Sequence, residues 1–422
     1  MIVSVGFDHN ASCLEILEKV ALRPTSVEDA LTYLTETDHI TEAVVVSTCM
    51  RTEIYVDAVG SRPALESVYD VLAKVSGADR VLLVEEANER TDGAAVVHLM
   101  RVAAGLESAV LGEHEILGQV VRAFEVAKSQ GACRGVLGPL FTHATRVGRR
   151  ARRETSIARG TTSIGQAAVA MAESMLGDLG KKRVLITGAG EMGAAMAVAV
   201  TCAKQAHDVV VCNRTLQRGE DLAEKIGATA VEWTQLTQQI SEADFWLTST
   251  DAESFLVSAS TLRELMSARC DRPLVVVDMG LPRDVDPAAG DLAGVTLLNI
   301  EHLRTFTEAT RNDRANEIAA VEELVDNEVL QYSRAMHLSS LDPILRRVYE
   351  VAEETRAQEV QRFLSKRGLT DNANEFDQDA ADALSRAVVA KLMHKPVSRI
   401  KASGDTAEGQ RLHEAFRLLF EP

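Results

Sequence analysis

At 422 residues the chain has room for about two to four domains, and 46% hydrophobic against 25% charged residues is the balance of an ordinary globular protein. A formal net charge of −17 excludes a protein that binds nucleic acid with its whole surface, but leaves room for a local basic face. The six cysteines, at 13, 49, 133, 202, 212 and 270, form no Cys-x-x-Cys pair and no metal-like Cys/His spacing. No metal site is therefore expected, and a reducing, cytoplasmic setting is. The start, Met1-Ile2-Val3-Ser4-Val5, lacks the basic and apolar pattern of a signal peptide, and no apolar stretch is long enough to span a bilayer.

In chain order, residues 1–155 mix short β-rich runs (Ile2–Gly6, Ala43–Ser47, Glu53–Ala58) with helical patterns, which predicts an α+β domain. Within it, Ala43-Val44-Val45-Val46-Ser47 is a buried-strand pattern, and Thr48-Cys49-Met50-Arg51 follows where the strand should end. Strand ends let a reactive side chain reach a cleft while the backbone stays fixed. A thiol attacks as its thiolate, which a nearby cation favours; Arg51 is a candidate for that cation, or for binding a substrate carboxylate. Taken alone, Cys49 also fits a small buried core residue.

Residues 156–302 alternate strand candidates (Arg183–Thr187, Asp208–Cys212, Phe245–Thr250, Leu274–Asp278, Val295–Asn299) with helical patterns, the mark of a parallel sheet with crossover helices. Gly188-Ala189-Gly190-Glu191-Met192-Gly193 follows the first of these strands and opens an Ala-rich helical run. Gly-x-Gly-x-x-Gly in that context is the dinucleotide fingerprint of a Rossmann-type domain. The helix N-terminus offers unpaired N–H groups to phosphate. The second strand ends in Asn213-Arg214-Thr215 with no carboxylate to grip a ribose 2′-hydroxyl, and Arg214 suits a 2′-phosphate, so the expected cofactor is NADPH. A hinge is expected near 156–165, around Gly160.

Residues 303–422 carry almost no strand signal. A helical pattern over 303–367 is interrupted near Leu341-Asp342-Pro343, where proline reads as a helix restart. Thr370 to Gln378 reads as a polar loop, and a further helix over Ala380–His394 is expected to stop before Pro396. Such an all-helical tail is a candidate dimerisation element, or else a bundle docked on its own chain. Phe141 to Arg159 gathers Arg146, Arg149, Arg150, Arg152, Arg153 and Arg159 against the single acid Glu154. That is either a phosphate-binding face or a solvated helix face paired with acids.

Ser47-Thr48-Cys49-Met50-Arg51-Thr52-Glu53 resembles the Ser-Thr-Cys-Asn-Arg-Thr-Glu signature of the glutamyl-tRNA reductase family. The run from His98 through Ser108 into Val110–Val120 is similar to that family's long substrate-binding motif. The glycine fingerprint, the Asn213-Arg214-Thr215 turn, Val277–Val285 and Lys391–Pro396 agree in order, so the resemblance covers nearly the whole chain. It implies an α/β multidomain enzyme: an N-terminal α+β catalytic domain (1–155), a Rossmann-type NADPH domain (156–302) and a C-terminal all-helical dimerisation domain (303–422). The implied reaction is NADPH-dependent reduction of glutamyl-tRNA to glutamate-1-semialdehyde through a Cys49 thioester, the first committed step of tetrapyrrole synthesis. Implied partners are the tRNA substrate, a second copy of the chain and glutamate-1-semialdehyde aminotransferase.

By position, the resemblance implies substrate contacts at Thr48, Met50, Arg51, Ser108, Glu113, His114, Glu115 and Gln119. It implies a proton-transfer role for His98, whose other reading is a packed helix residue. It implies cofactor contacts at Gly188, Ala189, Gly190, Glu191, Met192, Gly193, Asn213, Arg214 and Thr215. The chain departs from the family at Met50, where Asn is usual, at His114-Glu115, where Pro-Gln is common, and near His9, where Lys and Pro are missing. Other readings of the residues are a shikimate-dehydrogenase-type enzyme, which gives Cys49 no role, and a non-catalytic tRNA- or nucleotide-sensing protein.

Overall fold

The computed structural model describes residues 1–158, 163–203, 206, 208–269, 272–311, 315–366, 375–402 and 407–420. The expected hinge at Gly160, Arg159 of the basic run, and Cys270 lie outside the described residues. The chain forms two compact units, Met1–Asp326 and Asn327–Pro422.

The first unit begins with strand β1 (Ile2–Asp8), helices α1 (Leu14–Val20) and α2 (Pro24–Thr35), and strands β2 (Ile40–Ser47) and β3 (Arg51–Ala58). Helices α3 (Ser61–Ser76) and α4 (Arg80–Glu86), strand β4 (Asn88–Thr91), and helices α5 (Asp92–Ala104), α6 (Glu115–Ser129) and α7 (Leu137–Glu154) follow. The four strands pair antiparallel in the order β2-β3-β1-β4. Helices α3 and α5 pack on β1, and α2 and α6 on β2. Every residue of β1 is buried, as a strand covered by helices requires. The expected α+β arrangement is present; β4, whose Asn-Glu-Arg-Thr carries no apolar alternation, was not foreseen.

Next come α8 (Ile164–Leu176), β5 (Arg183–Thr187), α9 (Glu191–Val198), β6 (Asp208–Cys212), α10 (Leu216–Ile226), β7 (Thr229–Val231), α11 (Leu236–Glu242) and β8 (Phe245–Thr248). Then follow α12 (Ala259–Ser267), β9 (Leu274–Asp278), β10 (Val295–Leu298) and α13 (Ile300–Arg311). The sheet is parallel in the order β10-β9-β8-β5-β6-β7. Side chains alternate strictly. Val184, Ile186, Val209, Val211, Phe245, Leu247, Val275 and Val277 face one core, with α8 and α9. Leu185, Val210, Cys212, Trp246, Leu274 and Val276 face the other, with α11 and α12. Helices on both faces of a parallel sheet define the doubly wound fold, and the order reverses between β5 and β8. Ligands bind such sheets at the carboxyl ends of the strands flanking that switch point.

The second unit consists of helix: most of α14 (Ala315–Lys366), then α15 (Glu375–Ala402) and α16 (Ala407–Phe420). Neither proline stops its helix as expected. The α14 backbone runs through Pro343, and α15 continues through Pro396. A proline inside a helix forfeits one hydrogen bond and costs about 3 kcal/mol. Beyond Pro396, burial of Val397 and Ile400 against Leu345, with Met393, Leu412 and Phe416, offsets that cost. The polar loop expected to reach Gln378 ends by Glu375, where α15 begins.

Candidate active site

Strand β2 ends at Ser47 and β3 starts at Arg51, so Thr48-Cys49-Met50 is the connecting turn. The Thr48 N–H donates to the Arg51 carbonyl at 2.8 Å. Thr48 Oγ1 accepts from the backbone N–H groups of Met50 (3.1 Å) and Arg51 (3.2 Å). The His9 N–H fixes the Met50 carbonyl at 3.1 Å. Cys49 is thereby held at a rigid tip, half-buried. Met50 is buried in the core that includes Leu14, Val110, Ile164 and Met279. The resemblance implied a substrate contact here; the side chain does not line the cavity that Cys49 lines, and its adaptable thioether packs the hairpin tip against residues of the nucleotide domain.

Arg51 also departs from expectation. Its buried guanidinium donates to Glu53 Oε1 at 2.7 Å and to the Glu107 carbonyl. Glu53 further accepts from Tyr55 OH at 2.6 Å and lies 2.9 Å from His98 Nε2. A buried arginine spends its donors on a buried carboxylate, because neither charge tolerates isolation. Burial alone would raise the Glu53 carboxyl, but the charges of Arg51 and then His98 outweigh it and hold the group well below the usual carboxylate range. Arg51 and His98 thus belong to one network and do not line the cavity that Cys49 lines. Glu53→Gln is expected to lose roughly 3–5 kcal/mol of stability at neutral pH, leaving Arg51 without its counter-charge. Because the folded value is depressed, the contribution is present above the ordinary carboxylate pKa and fades as pH falls through the folded one. Urea unfolding of both proteins at about pH 7 and about pH 3 should show the gap narrowing in acid.

Ser108 and Glu113 are buried, and among the described residues Ser108 Oγ and Glu113 Oε2 make no well-formed hydrogen bond. The hydroxyl still lies close enough to Glu113 to favour its ionised form. Burial first, and Glu115 second, push the Glu113 carboxyl up to about 7 against the opposing pull of Arg51, Ser108 and Arg152. Glu115, raised by burial and by Glu191, lines the cavity together with Thr48, Cys49 and Gln119. His114 instead points to solvent ahead of α6, so a substrate contact there is not supported by its position. Burial, then Glu113 and Glu115, push the Cys49 thiol up to about 12. Arg51, a candidate for the cation beside the thiol, is turned elsewhere, with its guanidinium held by Glu53 and the Glu107 carbonyl.

The glycine loop follows β5 at the switch point. Gly188 has φ +99°, and a Cβ there would lie 2.1 Å from the Ser249 carbonyl oxygen. A Cβ on Gly193 would lie 2.2 Å from the Gly188 carbonyl oxygen, so both positions demand glycine. Gly190 faces open space, with nothing within 4 Å of an added Cβ. That is the room a pyrophosphate needs above the N-terminus of α9. Asn213 lines the cavity, where its Oδ1 accepts from the Ala189 N–H at 3.0 Å and its Nδ2 donates to the Thr215 carbonyl at 2.8 Å. It ties the loop to the turn after β6. Met192 packs against the core, and Glu191 pairs with Arg122 of α6 at 2.8 Å. Arg214 and Thr215 are exposed and line the cavity. Arg218, which sequence reasoning missed, lines it as well, and its place four residues after Arg214 was the available signal.

One cavity of about 1190 Å³ joins these parts. Thr48, Cys49, Glu115 and Gln119 line it from the N-terminal region; Gly188 to Met192, Asn213 to Thr215, and Ser249 to Ala252 line it from the nucleotide sheet. Among the described residues, ion pairs bind the two sides: Arg283 to Glu18 at 2.9 Å, Arg122 to Glu191 at 2.8 Å, and Arg23 to Glu253 at 2.6 Å. A glycine loop at the switch point of a doubly wound sheet, with a strand-end cysteine in the same cavity, defines a Rossmann-fold oxidoreductase.

The basic run presents fewer free cations at the surface than its sequence suggests. Arg150 and Arg153 both pair with Glu154, at 3.0 Å and 2.6 Å. Arg152 turns inward to the carbonyls of Ala103 (2.9 Å), Gly148 (2.8 Å) and Glu113. Arg146 and Arg149 remain exposed, and Arg146 lies 2.8 Å from His143 Nδ1.

Residues 5–155 match the model of the glutamyl-tRNAGlu reductase N-terminal domain, 170–306 that of shikimate/quinate 5-dehydrogenase, and 320–422 that of the glutamyl-tRNAGlu reductase dimerisation domain. A glutamyl-tRNA reductase of Myxococcus xanthus is 36% identical over 421 residues, covering 99% of this chain and 93% of that protein. One of Rubrobacter xylanophilus is 34% identical over 417 residues, covering 97% and 96%. The solved glutamyl-tRNA reductase of Methanopyrus kandleri superposes with a TM-score of 0.51 at 30% identity, covering 99% of each chain. The chain belongs to the glutamyl-tRNA reductase family. Its shikimate-type match is the middle domain of that architecture, which replaces the reading of the whole chain as a shikimate dehydrogenase.

Proposed function

We propose that this chain reduces glutamyl-tRNA to glutamate-1-semialdehyde with NADPH, through a thioester on Cys49, as the first committed step of tetrapyrrole synthesis. The observation that carries the reading is the single cavity lined by both Cys49 and the glycine loop. In it the sulfur attacks the ester carbonyl; a C–S bond forms, the C–O bond to the terminal ribose breaks, and the ribose oxygen takes up the thiol's proton. NADPH held at the glycine loop would supply hydride chemistry, and with a proton from water the Cys49 thioester would give the aldehyde and the free thiol.

The protein's own residues position the reactants. Thr48 fixes the turn that presents Cys49. Ser108, Glu113, Glu115 and Gln119 suit the polar atoms of the glutamyl group. Arg51 and His98 act through Glu53 as positioning residues behind the thiol, which fits their geometry better than direct proton transfer by His98. Gly188, Gly190 and Gly193 admit the pyrophosphate, Ala189, Glu191, Met192 and Asn213 shape that loop, and Arg214 with Thr215 takes the 2′-phosphate.

Functionally, residues 1–155 recognise and acylate, 156–302 bind NADPH, and 303–422 dimerise. Exposed Leu384, Leu392, Leu418 and Leu419 support a homodimer through these helices. The aldehyde passes to glutamate-1-semialdehyde aminotransferase in the cytoplasm. No described helix is long and apolar enough to cross a membrane. Arg146, Arg149 and Arg153 take part in holding the tRNA backbone, so affinity should fall as salt rises. Replacing all three by alanine should reduce the slope of log affinity against log salt by about 2–3, and an unchanged slope would remove the patch from the interface. The function itself is tested by supplying glutamyl-tRNA and NADPH and assaying semialdehyde with free tRNA. Absence of both products would overturn it.

A further inference from the structure

Among the ion pairs that join the two sides of the cavity, that of Arg283 with Glu18 is built differently. The side chains of Arg23 and Glu253, and of Arg122 and Glu191, are each more than half exposed, where water screens the attraction and little is gained. Those of Arg283 and Glu18 are only 23% and 15% exposed. The Arg283 guanidinium grips Glu18 with two prongs, Nε to Oε1 and Nη2 to Oε2, both at 2.9 Å. Its backbone N–H donates to Oε1 as well, again at 2.9 Å. A two-pronged pair with a backbone bond added fixes direction as well as distance. The segment that carries Arg283 is itself pinned. Asp278 accepts from the Gly280 and Val285 N–H groups, both at 2.9 Å, and so closes the loop after β9. Asp284 reaches across to the loop after β8, accepting from Thr248 Oγ1 (2.7 Å), the Thr250 N–H (2.9 Å) and Thr250 Oγ1. Ser249 and Thr250 from one loop, and Leu281 and Pro282 from the other, line the cavity. On the opposite side Glu18 stands one turn after Leu14 on α1, and Leu14 shares the buried core of Met50, the neighbour of Cys49. Packed and hydrogen-bonded groups thus lead from the thiol turn through Glu18 and Arg283 to the wall beside the glycine loop.

We propose that Arg283 and Glu18 are positioning residues for the reduction step: their clasp holds the cofactor wall of the cavity in register with the acyl group on Cys49. This rests on the reaction proposed above and assigns the residues that align its second half. Acylation uses the thiol and the substrate carbonyl on the N-terminal side. Hydride delivery needs reacting atoms from both sides within about 3–3.5 Å, and about 1 Å of misplacement costs roughly 10²-fold. A thioester kept waiting is open to water, whose oxygen attacks the carbonyl while the C–S bond breaks and the sulfur regains its proton, giving glutamate. Loosening the clasp should therefore divert product from aldehyde to glutamate. Arg283 does not itself line the cavity, so its effect there is one of position.

The test compares full-length Glu18→Ala, Arg283→Ala and the double variant. Glu18→Gln should shift the same way by less, and it covers the case in which an alanine variant fails to fold. Without NADPH, each variant should add the glutamyl group to Cys49 within about twofold of the wild-type rate. With saturating NADPH, semialdehyde formation from the preformed adduct should fall roughly 10–100-fold in each alanine variant, with free glutamate rising in its place. The double variant should lose no more than either single one, because the two side chains act as one unit. Additive losses, an equal loss in acylation, or an unchanged ratio of aldehyde to glutamate in a variant with wild-type thermal unfolding would overturn the proposal. Hydrogen exchange reads the clasp without catalysis. The amides of Arg283 and Thr250 should exchange at least ~10-fold faster in Glu18→Ala than in wild type, and unchanged exchange would also overturn the proposal. If wild type takes up no glutamyl group at all, the reaction proposed above fails, while exchange still decides whether the clasp holds the two walls together.

Discussion

Cys49→Ser is expected to lower semialdehyde formation from glutamyl-tRNA by at least ~10³-fold while leaving NADPH affinity unchanged. A serine hydroxyl at the same turn keeps the hydrogen bonds of Thr48, since those involve only backbone atoms of Met50 and Arg51. The hairpin tip and the burial of Met50 should therefore survive, and the loss reports chemistry rather than folding. What disappears is the thioester: a hydroxyl neither ionises nor leaves as readily as a thiol, and an oxyester is a poor hydride acceptor beside a thioester. Single-turnover product assays and a fluorescence titration of NADPH read the two halves separately. Activity within a few-fold of wild type would mean that Cys49 is a packing residue after all.

The second large effect is expected at the turn after β6. Arg214→Ala should weaken NADPH by roughly 10–100-fold, with NADH binding changed little, because only NADPH has the 2′-phosphate that a planar, permanently charged guanidinium can grip. Arg218 on the first turn of α10 should retain part of the affinity, so Arg214→Ala/Arg218→Ala should fall further than either single change. Asn213 is not expected to behave this way. Its amide is engaged with Ala189 and Thr215, and its loss should distort the glycine loop and weaken both cofactors alike. Paired titrations with NADPH and NADH distinguish the two patterns.

Much of the fold was legible because it rests on local periodicity. Strands β5, β6, β8, β9 and β10 of the parallel sheet fall within a residue or two of the runs read from alternation and β-branched content, since each buried strand must present apolar side chains to two faces. Short β4 and β7 escaped because Asn88–Thr91 and Thr229–Val231 are too brief and too polar to carry a period. Pro343 and Pro396 misled because a proline's local cost is visible in sequence, whereas the packing of Val397 and Ile400 that offsets it is not.

The site divides in the same way. Cys49 at a strand end and the glycine loop after a strand are local features, and both stand where they were expected. The partners of Arg51 were not legible: nothing in the Cys-Met-Arg-Thr-Glu run says that Arg51 and Glu53, two apart on one face of β3, pair with each other and enclose His98 from α5. Arg152 is a similar case. Its neighbours on α7 stay at the surface, and only the close approach of Ala103, Gly148 and Glu113 draws it inward. Met50, the departure from the family pattern next to Cys49, lies in the core and does not line the cavity.

In the proposed reaction Cys49 carries the glutamyl group before any hydride is delivered. Intact-protein mass spectrometry after mixing with glutamyl-tRNA in the absence of NADPH tests it most directly. The expected result is one glutamyl group added to the chain, mapped to Cys49, with an equal amount of free tRNA, and loss of the adduct when NADPH is added. No adduct on the wild-type chain, or the same adduct on Cys49→Ser, would contradict it.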